Sequence, residues 1–157
     1  MNSDPGIGGV GIQSGTRTSR DDIVAMFNRR QQAWEELDAS ALAADYADDV
    51  VVDSPFAGTH RGRAAAEQAL RAVFSAFVDA RMSTEDVIIE GSRVAHVLTS
   101  EGTHMGDFLG IAPTGRTFRV RFVCLYDVAE GKIVRERRVY DFTGLLMQIG
   151  VLKARPV

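Results

Sequence analysis

Several carboxylates and basic residues near the C-terminus could take part in acid–base chemistry. Asp141 lies where KIVRERRVY, residues 132–140, a predicted strand, runs into the apolar segment DFTGLLMQIG, residues 141–150. Strand alternation puts Asp141 on the same face as Arg137 and Val139. If that face is inward, the carboxylate meets an apolar cavity, where a raised pKa suits a proton shuttle. The same position also suits the N-cap of a final helix, and spacing alone favours the cap.

Seven further side chains are candidates for lining a substrate pocket. Each type also has an ordinary structural role. An arginine on a strand can pair with an acid across the sheet, a histidine at a strand end can be held by hydrogen bonds, and aromatic residues commonly pack in the core. The candidates are Arg137, His104, Asp53, Trp34, Phe56, Tyr126 and Phe108.

Several other chemistries find no support in the sequence. The histidines at 60, 96 and 104 form no close pair, and the chain has no CxxC, HExxH, GxSxG or P-loop pattern. GIGGVG at 6–11 follows no strand, so it does not predict a dinucleotide loop. The lone Cys124 sits in a predicted strand interior, which favours a buried small hydrophobe. We therefore expect no metal and no cofactor.

Composition indicates a single globular domain and argues against several kinds of partner and location. The chain has 157 residues, 45% of them hydrophobic, and a net charge of −3, which suits one domain with a real core. Acidic and basic residues are mixed, and the arginines at 135, 137 and 138 divide between two strand faces, so no nucleic-acid partner is expected. No apolar run could span a membrane and no signal peptide is visible. With a single cysteine, this predicts a cytoplasmic protein.

The order of elements predicts an α+β fold. A glycine-rich tail, 1–19, is expected to be disordered, followed by a single domain at 20–157. Predicted helices cover 20–37, 40–46, 63–78 and 143–149, and predicted strands cover 50–53, 81–90, 93–104, 116–128 and 132–141. A curved antiparallel sheet wrapped around the helices would bury both and leave an internal cavity.

The outer face of that sheet carries apolar side chains among its charges. Val123 and Leu125 are expected on this face. An exposed apolar patch of this kind is usually covered by a second subunit, which predicts a homodimer.

Three blocks in order resemble one known family. GTHMGDFLGIAPTGR at 102–116, EGKIVRE at 130–136 and DFTGLLMQIG at 141–150 resemble the SnoaL-like polyketide cyclases of the nuclear-transport-factor-2-like superfamily. The segment AGTHRGRAAAEQALRAVFSAF at 57–77 fits the same pattern. The resemblance covers about 21–152 and implies a cone-shaped α+β barrel with a deep pocket.

The resemblance also implies an activity. SnoaL-like enzymes close a ring on a small hydrophobic, carbonyl-containing polyketide ester by intramolecular aldol addition without a cofactor, and Asp141 occupies the place of their acid–base aspartate. Relatives often carry other residues where this chain has Arg137 and Asp53. Their combination with Asp141 resembles the Asp–Arg–Asp set of limonene-epoxide hydrolases. Epoxide hydrolysis, ketosteroid-type isomerisation and non-catalytic ligand binding are therefore the alternatives.

Overall fold

The structure is a computed structural model that describes residues 17–153, which form four helices and six strands. The helices are α1 (Arg20–Glu35), α2 (Ala39–Ala44), α3 (Arg63–Ala76) and α4 (Phe142–Gln148). The strands are β1 (Tyr46–Ser54), β2 (Gly58–Arg61), β3 (Arg81–Glu90), β4 (Arg93–Thr103), β5 (Thr117–Ala129) and β6 (Lys132–Tyr140). The predicted α+β class is confirmed. Most of the predicted tail, residues 1–16, lies outside the described residues.

All six strands form one curved sheet in the order β2-β1-β6-β5-β4-β3. The strands β3 to β6 pair antiparallel with their sequence neighbours, as predicted. Two features were not predicted: the short strand β2, and the parallel pairing of β1 with β6. The edge strands β2 and β3 do not pair with each other, so the cone is open along one side.

Helix α1 packs along the inner face of the sheet. Its first turn is fixed by a capping box, in which the Ser19 hydroxyl accepts from the Asp22 N–H and the Asp22 carboxylate accepts from the Ser19 N–H. Residues at three-four spacing then bury one side of the helix, including Ile23, Phe27 and Trp34. Within residues 17–153, no helix is both long and apolar enough to cross a membrane.

The hairpin of β5 and β6 contains a bulge that sets which side chains point inward. Val128 pairs with Ile133, but the next pair is Asp127 with Arg135, so Val134 is an extra residue on β6. A bulge of one residue inverts the alternation of every position beyond it, because strand side chains alternate with a period of two.

The predicted inner face of β6 is therefore wrong beyond the bulge. The inward residues of β5 were predicted correctly, and their cross-strand partners share that face: Glu136 lies opposite Tyr126, Arg138 opposite Cys124, and Tyr140 opposite Phe122. Val139, by contrast, is 54% exposed. Arg137 and Val139 thus lie on the outer face of the sheet.

The buried histidine of β4 should make the free energy of unfolding depend on pH. His96 lies in the core with its ring edge-on to Phe27, and its Nε2 lies 2.9 Å from the Thr84 hydroxyl. Burial, aided by the charge of Arg30, lowers the pKa of His96 to about 4. The unfolded chain therefore binds more protons than the folded one between about pH 6.5 and pH 4.

We expect the free energy of unfolding to fall as pH drops through this window, by roughly 1 kcal/mol between pH 6 and pH 5. Urea titrations at pH 7, 6 and 5 measure it. The variant His96→Gln should show a flatter profile. Equal slopes for wild type and His96→Gln would contradict the assignment.

Candidate functional site

A cavity with a free volume of about 70 Å³ lies between the inner face of the sheet and the helices. Its lining comes from the sheet, from the helices α1, α3 and α4, and from the loops between these elements. The lining residues are Trp34, Leu37, Phe56, Val73, Phe74, Phe77, Ala80, Met82, Ser100, Phe108, Phe118, Phe122, Cys124, Arg138, Tyr140 and Leu145. The cavity is narrow and almost wholly apolar.

Half of the lining residues are aromatic, and several of their rings contact one another edge to face. The ring of Trp34 lies 5.4 Å from that of Phe74, and Phe77 lies 5.0 Å from both Phe108 and Phe118. Such pairs hold the rings in fixed orientations. The aromatic wall is therefore rigid.

Besides Trp34 with its indole N–H, four lining residues carry a polar group: Ser100, Cys124, Arg138 and Tyr140. Burial raises the pKa of the Cys124 thiol to about 12 and also raises that of the Tyr140 phenol, so both stay protonated at neutral pH. Arg138 is the one charged side chain in the lining described here. Its side chain is 13% exposed.

A buried carboxylate holds Arg138 in place. Glu136 is fully buried and accepts from Arg138 Nε at 2.6 Å, while its other oxygen accepts from the Tyr46 hydroxyl. Burial alone would raise the pKa of Glu136, but the charges of Arg138 and Arg30 outweigh it and keep that pKa below its usual value. Glu136 is therefore an anion inside the core.

Arg30 on α1 joins Glu136, Arg138 and Tyr46 to form a buried cluster. One of its terminal nitrogens donates to the Leu42 carbonyl oxygen at 2.8 Å, and the other lies 4.0 Å from Glu136. Its guanidinium carbon lies 5.1 Å from the ring centre of Tyr46 and 5.7 Å from that of Tyr126. The two rings offset part of the cost of burying this charge.

Three of the predicted pocket residues line the cavity, and one lies beneath it. Trp34, Phe56 and Phe108 are in the wall. Tyr126 is buried deeper, between Arg30 and the ring of Phe27, whose centre lies 5.0 Å away. It supports the buried cluster rather than the lining.

His104 is buried behind the wall and organises the loop that carries Phe108. Its main chain pairs with Arg116 and Gly115, and its Nδ1 lies within reach of the Thr114 hydroxyl and N–H, at 3.1 and 3.3 Å. Its ring packs on Phe77, with centres 5.6 Å apart. His104 therefore positions the aromatic wall without lining the cavity.

Asp53 and Arg137 were expected in the pocket, but both lie on the outer side of the sheet. Asp53 accepts from Thr59 Oγ1 at 2.8 Å and from Arg135 at 3.2 Å, and these contacts, with the Thr59 hydrogen bond foremost, lower its pKa. Its strand partner is Arg137, which lines a shallow outer depression beside Leu125. The Asp–Arg–Asp set is therefore not assembled in the cavity.

Asp141 is the N-cap of α4, and its side chain is exposed. Its Oδ1 accepts from the Gly144 N–H at 2.7 Å. A Cβ at position 144 would collide with this carboxylate, which explains the glycine of DFTG. The expected inward position is thus wrong, because Asp141 follows the outer face set by the bulge. The acid–base role implied by the resemblance stays a prediction.

The sequence analysis missed the polar residues that do face the interior, namely Arg30, Tyr46, Glu136, Arg138 and Tyr140. A signal for three of them was present. The inner face of β5 was identified, and residues directly opposite it on β6 had to share that face. Only the position of the bulge was lacking. Within residues 17–153, no three His, Cys, Asp or Glu side chains cluster in a way that could hold a metal ion.

Comparisons with known proteins give the family through a family model and the fold through solved structures. Residues 24–149 match the family model of the SnoaL-like polyketide cyclases. No curated protein sequence matches the chain at a significant level.

Among solved structures, AclR of Streptomyces galilaeus, a proposed hydroxylase, is 26% identical, covers 88% of this chain and 91% of its own, and has a TM-score of 0.74. TsrD of Streptomyces laurentii is 24% identical with coverages of 85% and 98% and a TM-score of 0.75. IdmH of Streptomyces antibioticus, a proposed polyketide cyclase, is 24% identical with coverages of 82% and 98% and a TM-score of 0.66. The predicted cone-shaped fold is confirmed.

The cap at Asp141 can be tested through stability. Asp141→Asn should leave the free energy of unfolding nearly unchanged, because Asn caps about as well as Asp, whereas Asp141→Ala should cost about 1 kcal/mol. Urea unfolding followed by circular dichroism gives both values. Equal stability of the Ala and Asn variants would show that the hydrogen bond to Gly144 contributes nothing.

Proposed function

Because the chain belongs to the SnoaL-like polyketide cyclase family, we propose that it binds a flat, carbonyl-rich polyketide-type ester and closes a ring on it by intramolecular aldol addition. The observation that carries this proposal is the aromatic cavity with one guanidinium in its wall. Folding the flexible chain of the substrate against these rings holds its two reacting carbons close together. Such positioning can supply a large part of the reduction in activation free energy.

The reaction needs no group beyond those of the substrate, the protein and water. The C–H bond between two carbonyls breaks and its proton passes to water, the resulting carbanion attacks a ketone carbon of the same molecule, and the new alkoxide takes up a proton from water. Atoms and electrons balance without an oxidant or a reductant. The apolar wall keeps water from the reacting carbons.

The identity of the base is the open element of this mechanism. Lining residues among those described include no carboxylate and no imidazole. Asp141 directly follows the lining residue Tyr140, but to act as a base it would have to release its hydrogen bond to Gly144. We propose that the cavity mainly positions the substrate and stabilises its ionised form, and that Asp141 acts as a cap.

Ligand binding without chemistry is the second candidate function. The same absence of a carboxylate or imidazole among the described lining residues favours it. A carrier of this kind would need only the aromatic wall and the buried arginine.

We also propose that the chain forms a homodimer through the outer face of the sheet. Val97, Val123 and Val139 lie directly opposite one another on three adjacent strands and form an apolar row on that face. Leu125 lies on the same face, next to the outward Arg137. Arginines and carboxylates around this row, such as Arg121 with Glu85, suit a two-fold related copy.

The cyclase proposal is tested with an aryl polyketide methyl ester that carries a 1,3-dicarbonyl and a distal ketone. Ala80→Leu, which fills the cavity, should lower turnover at least about tenfold through misplacement of the substrate. Ala72→Leu, on the exposed face of α3, is the matched control and should retain the wild-type turnover. Product analysis by mass spectrometry gives the rates.

Three outcomes of this assay separate the functions. In ¹⁸O-labelled water a hydrolase must place solvent oxygen in its product, whereas the hydroxyl oxygen formed by an aldol cyclase comes from the substrate's own ketone. Binding with no product would favour the carrier. A loss of about a hundredfold or more in Asp141→Asn, with unchanged unfolding, would make Asp141 the acid–base group and refute its assignment as a cap alone.

The dimer is tested by sedimentation at micromolar concentration. Val139→Glu should produce a monomer, because it places a charge at the exposed end of the apolar row. Val78→Glu, at a similarly exposed valine just beyond α3, should leave the dimer intact. A wild-type chain that sediments as a monomer would refute the proposal.

A further inference from the structure

Arg138 is the polar group of the cavity with the most unused hydrogen-bonding capacity. Its Nε donates to Glu136 at 2.6 Å. Within residues 17–153, its two terminal nitrogens have no hydrogen-bond acceptor, although the residue lines the cavity. A guanidinium has five N–H donors, and in an apolar site the unpaired ones favour a ligand that can accept them.

Arg138 is the only charged side chain that lines the cavity among the described residues. Its one ionic partner is Glu136, which also lies 4.0 Å from Arg30 and is therefore shared between two guanidinium groups. The other buried carboxylate nearby, Asp45, lies 2.9 Å from Arg29 and 4.0 Å from Arg30, and it makes no ion pair with Arg138. The described part of the cavity wall therefore presents a guanidinium and no carboxylate.

The surroundings strengthen the effect of this charge. Besides its partner Glu136, the neighbours of Arg138 on the inner face are Cys124 directly across the hairpin and Tyr140 two residues along β6. Both are held in their neutral forms, since burial raises their pKa values. A charge in such a dry, apolar setting is screened weakly, so an anion placed against it gains more than it would in water.

Resting on the proposed function, we infer that Arg138 forms an oxyanion subsite, and that the cavity selects the ionised form of its ligand. The matching chemical class is a conjugated oxyanion with two coplanar oxygens, such as the enolate of a 1,3-dicarbonyl compound. Two terminal N–H groups of a guanidinium match two such oxygens in a bidentate contact. The conjugated remainder of the ligand lies against the aromatic wall.

This subsite accounts for a cavity that has a cation but no base among its described lining residues. A 1,3-dicarbonyl compound loses the proton of its central carbon to water, and the electron pair spreads over both oxygens. The ligand that enters is then already ionised, and the protein needs to stabilise it rather than deprotonate it. Glu136 acts as a positioning residue, because it fixes the direction of the Arg138 side chain.

The test compares two probes of the same shape that differ in charge. 2-Naphthoate is an anion with two coplanar oxygens, and 2-naphthamide is its neutral counterpart. Binding is followed through the fluorescence of Trp34, the chain's single tryptophan, which lines the cavity. Wild-type protein should bind the naphthoate at least about tenfold more tightly, which corresponds to about 1.4 kcal/mol.

Variants assign this preference to one residue. Arg138→Gln removes the charge while keeping a donor for Glu136, and it should bind both probes equally. Arg137→Gln makes the same charge change one residue away on the outer face, and it should keep the wild-type preference. Arg138→Lys keeps the charge without the bidentate geometry and should show an intermediate ratio.

A second readout tests the enolate directly. Absorbance titration of benzoylacetone should give a lower pKa for the bound diketone than for the free one, by about one unit or more, in wild type and in Arg137→Gln. This shift should vanish in Arg138→Gln.

Each remaining outcome has a definite meaning. Equal binding of naphthoate and naphthamide by wild type would overturn the subsite while leaving the proposed function standing. No binding of either probe and no ring closure would overturn both. An Arg138→Gln variant that fails to fold leaves the wild-type comparison and Arg138→Lys to decide, and a preference as strong in Arg138→Gln as in wild type would also refute the subsite.

Discussion

The carboxylate of Glu136 has no access to water, and much of the architecture around the cavity serves to keep it charged. A buried ion without partners costs several kcal/mol, so Glu136 must receive hydrogen bonds and opposite charge from the protein itself. Tyr46 supplies one bond from β1, Arg138 supplies another from β6, and Arg30 adds charge from α1. One side chain thus ties a helix and two strands to a common point.

The bulge in β6 is the backbone device that makes this arrangement possible. With regular pairing from the turn onward, Arg135 and Arg137 would enter the core, and Glu136 would face solvent. The extra residue Val134 reverses this, so that Glu136, Arg138 and Tyr140 face inward. Bulges are frequent beside functional sites because they re-aim side chains without changing the strand order. Here a single residue decides which arginine the cavity receives.

The same bulge marks where inference from sequence stops. The helices, the four-strand meander, the inner face of β5 and the aromatic wall residues Trp34, Phe56 and Phe108 followed from periodicity and from the family resemblance. The inward residues of β6 did not, because KIVRERRVY alternates almost equally well on either face and the bulge has no local signal such as glycine. Arg137 and Asp141 were assigned inward by a count along β6 that one extra residue invalidates, whereas Asp53 on β1 was placed in the pocket by the family resemblance.

The order in which the strands join has a consequence for how the chain folds. The meander from β3 to β6 forms between sequence neighbours, but β1 reaches β6 across the whole chain: Tyr46 and Glu136 are bonded although 90 positions separate them. Contacts between residues so far apart in sequence form slowly, because the chain loses entropy on closing the loop before the contact can stabilise the structure. The lining of the aromatic cavity comes from α1 as well as from β3 to β6, so the cavity is complete only once the N-terminal half has docked on the meander.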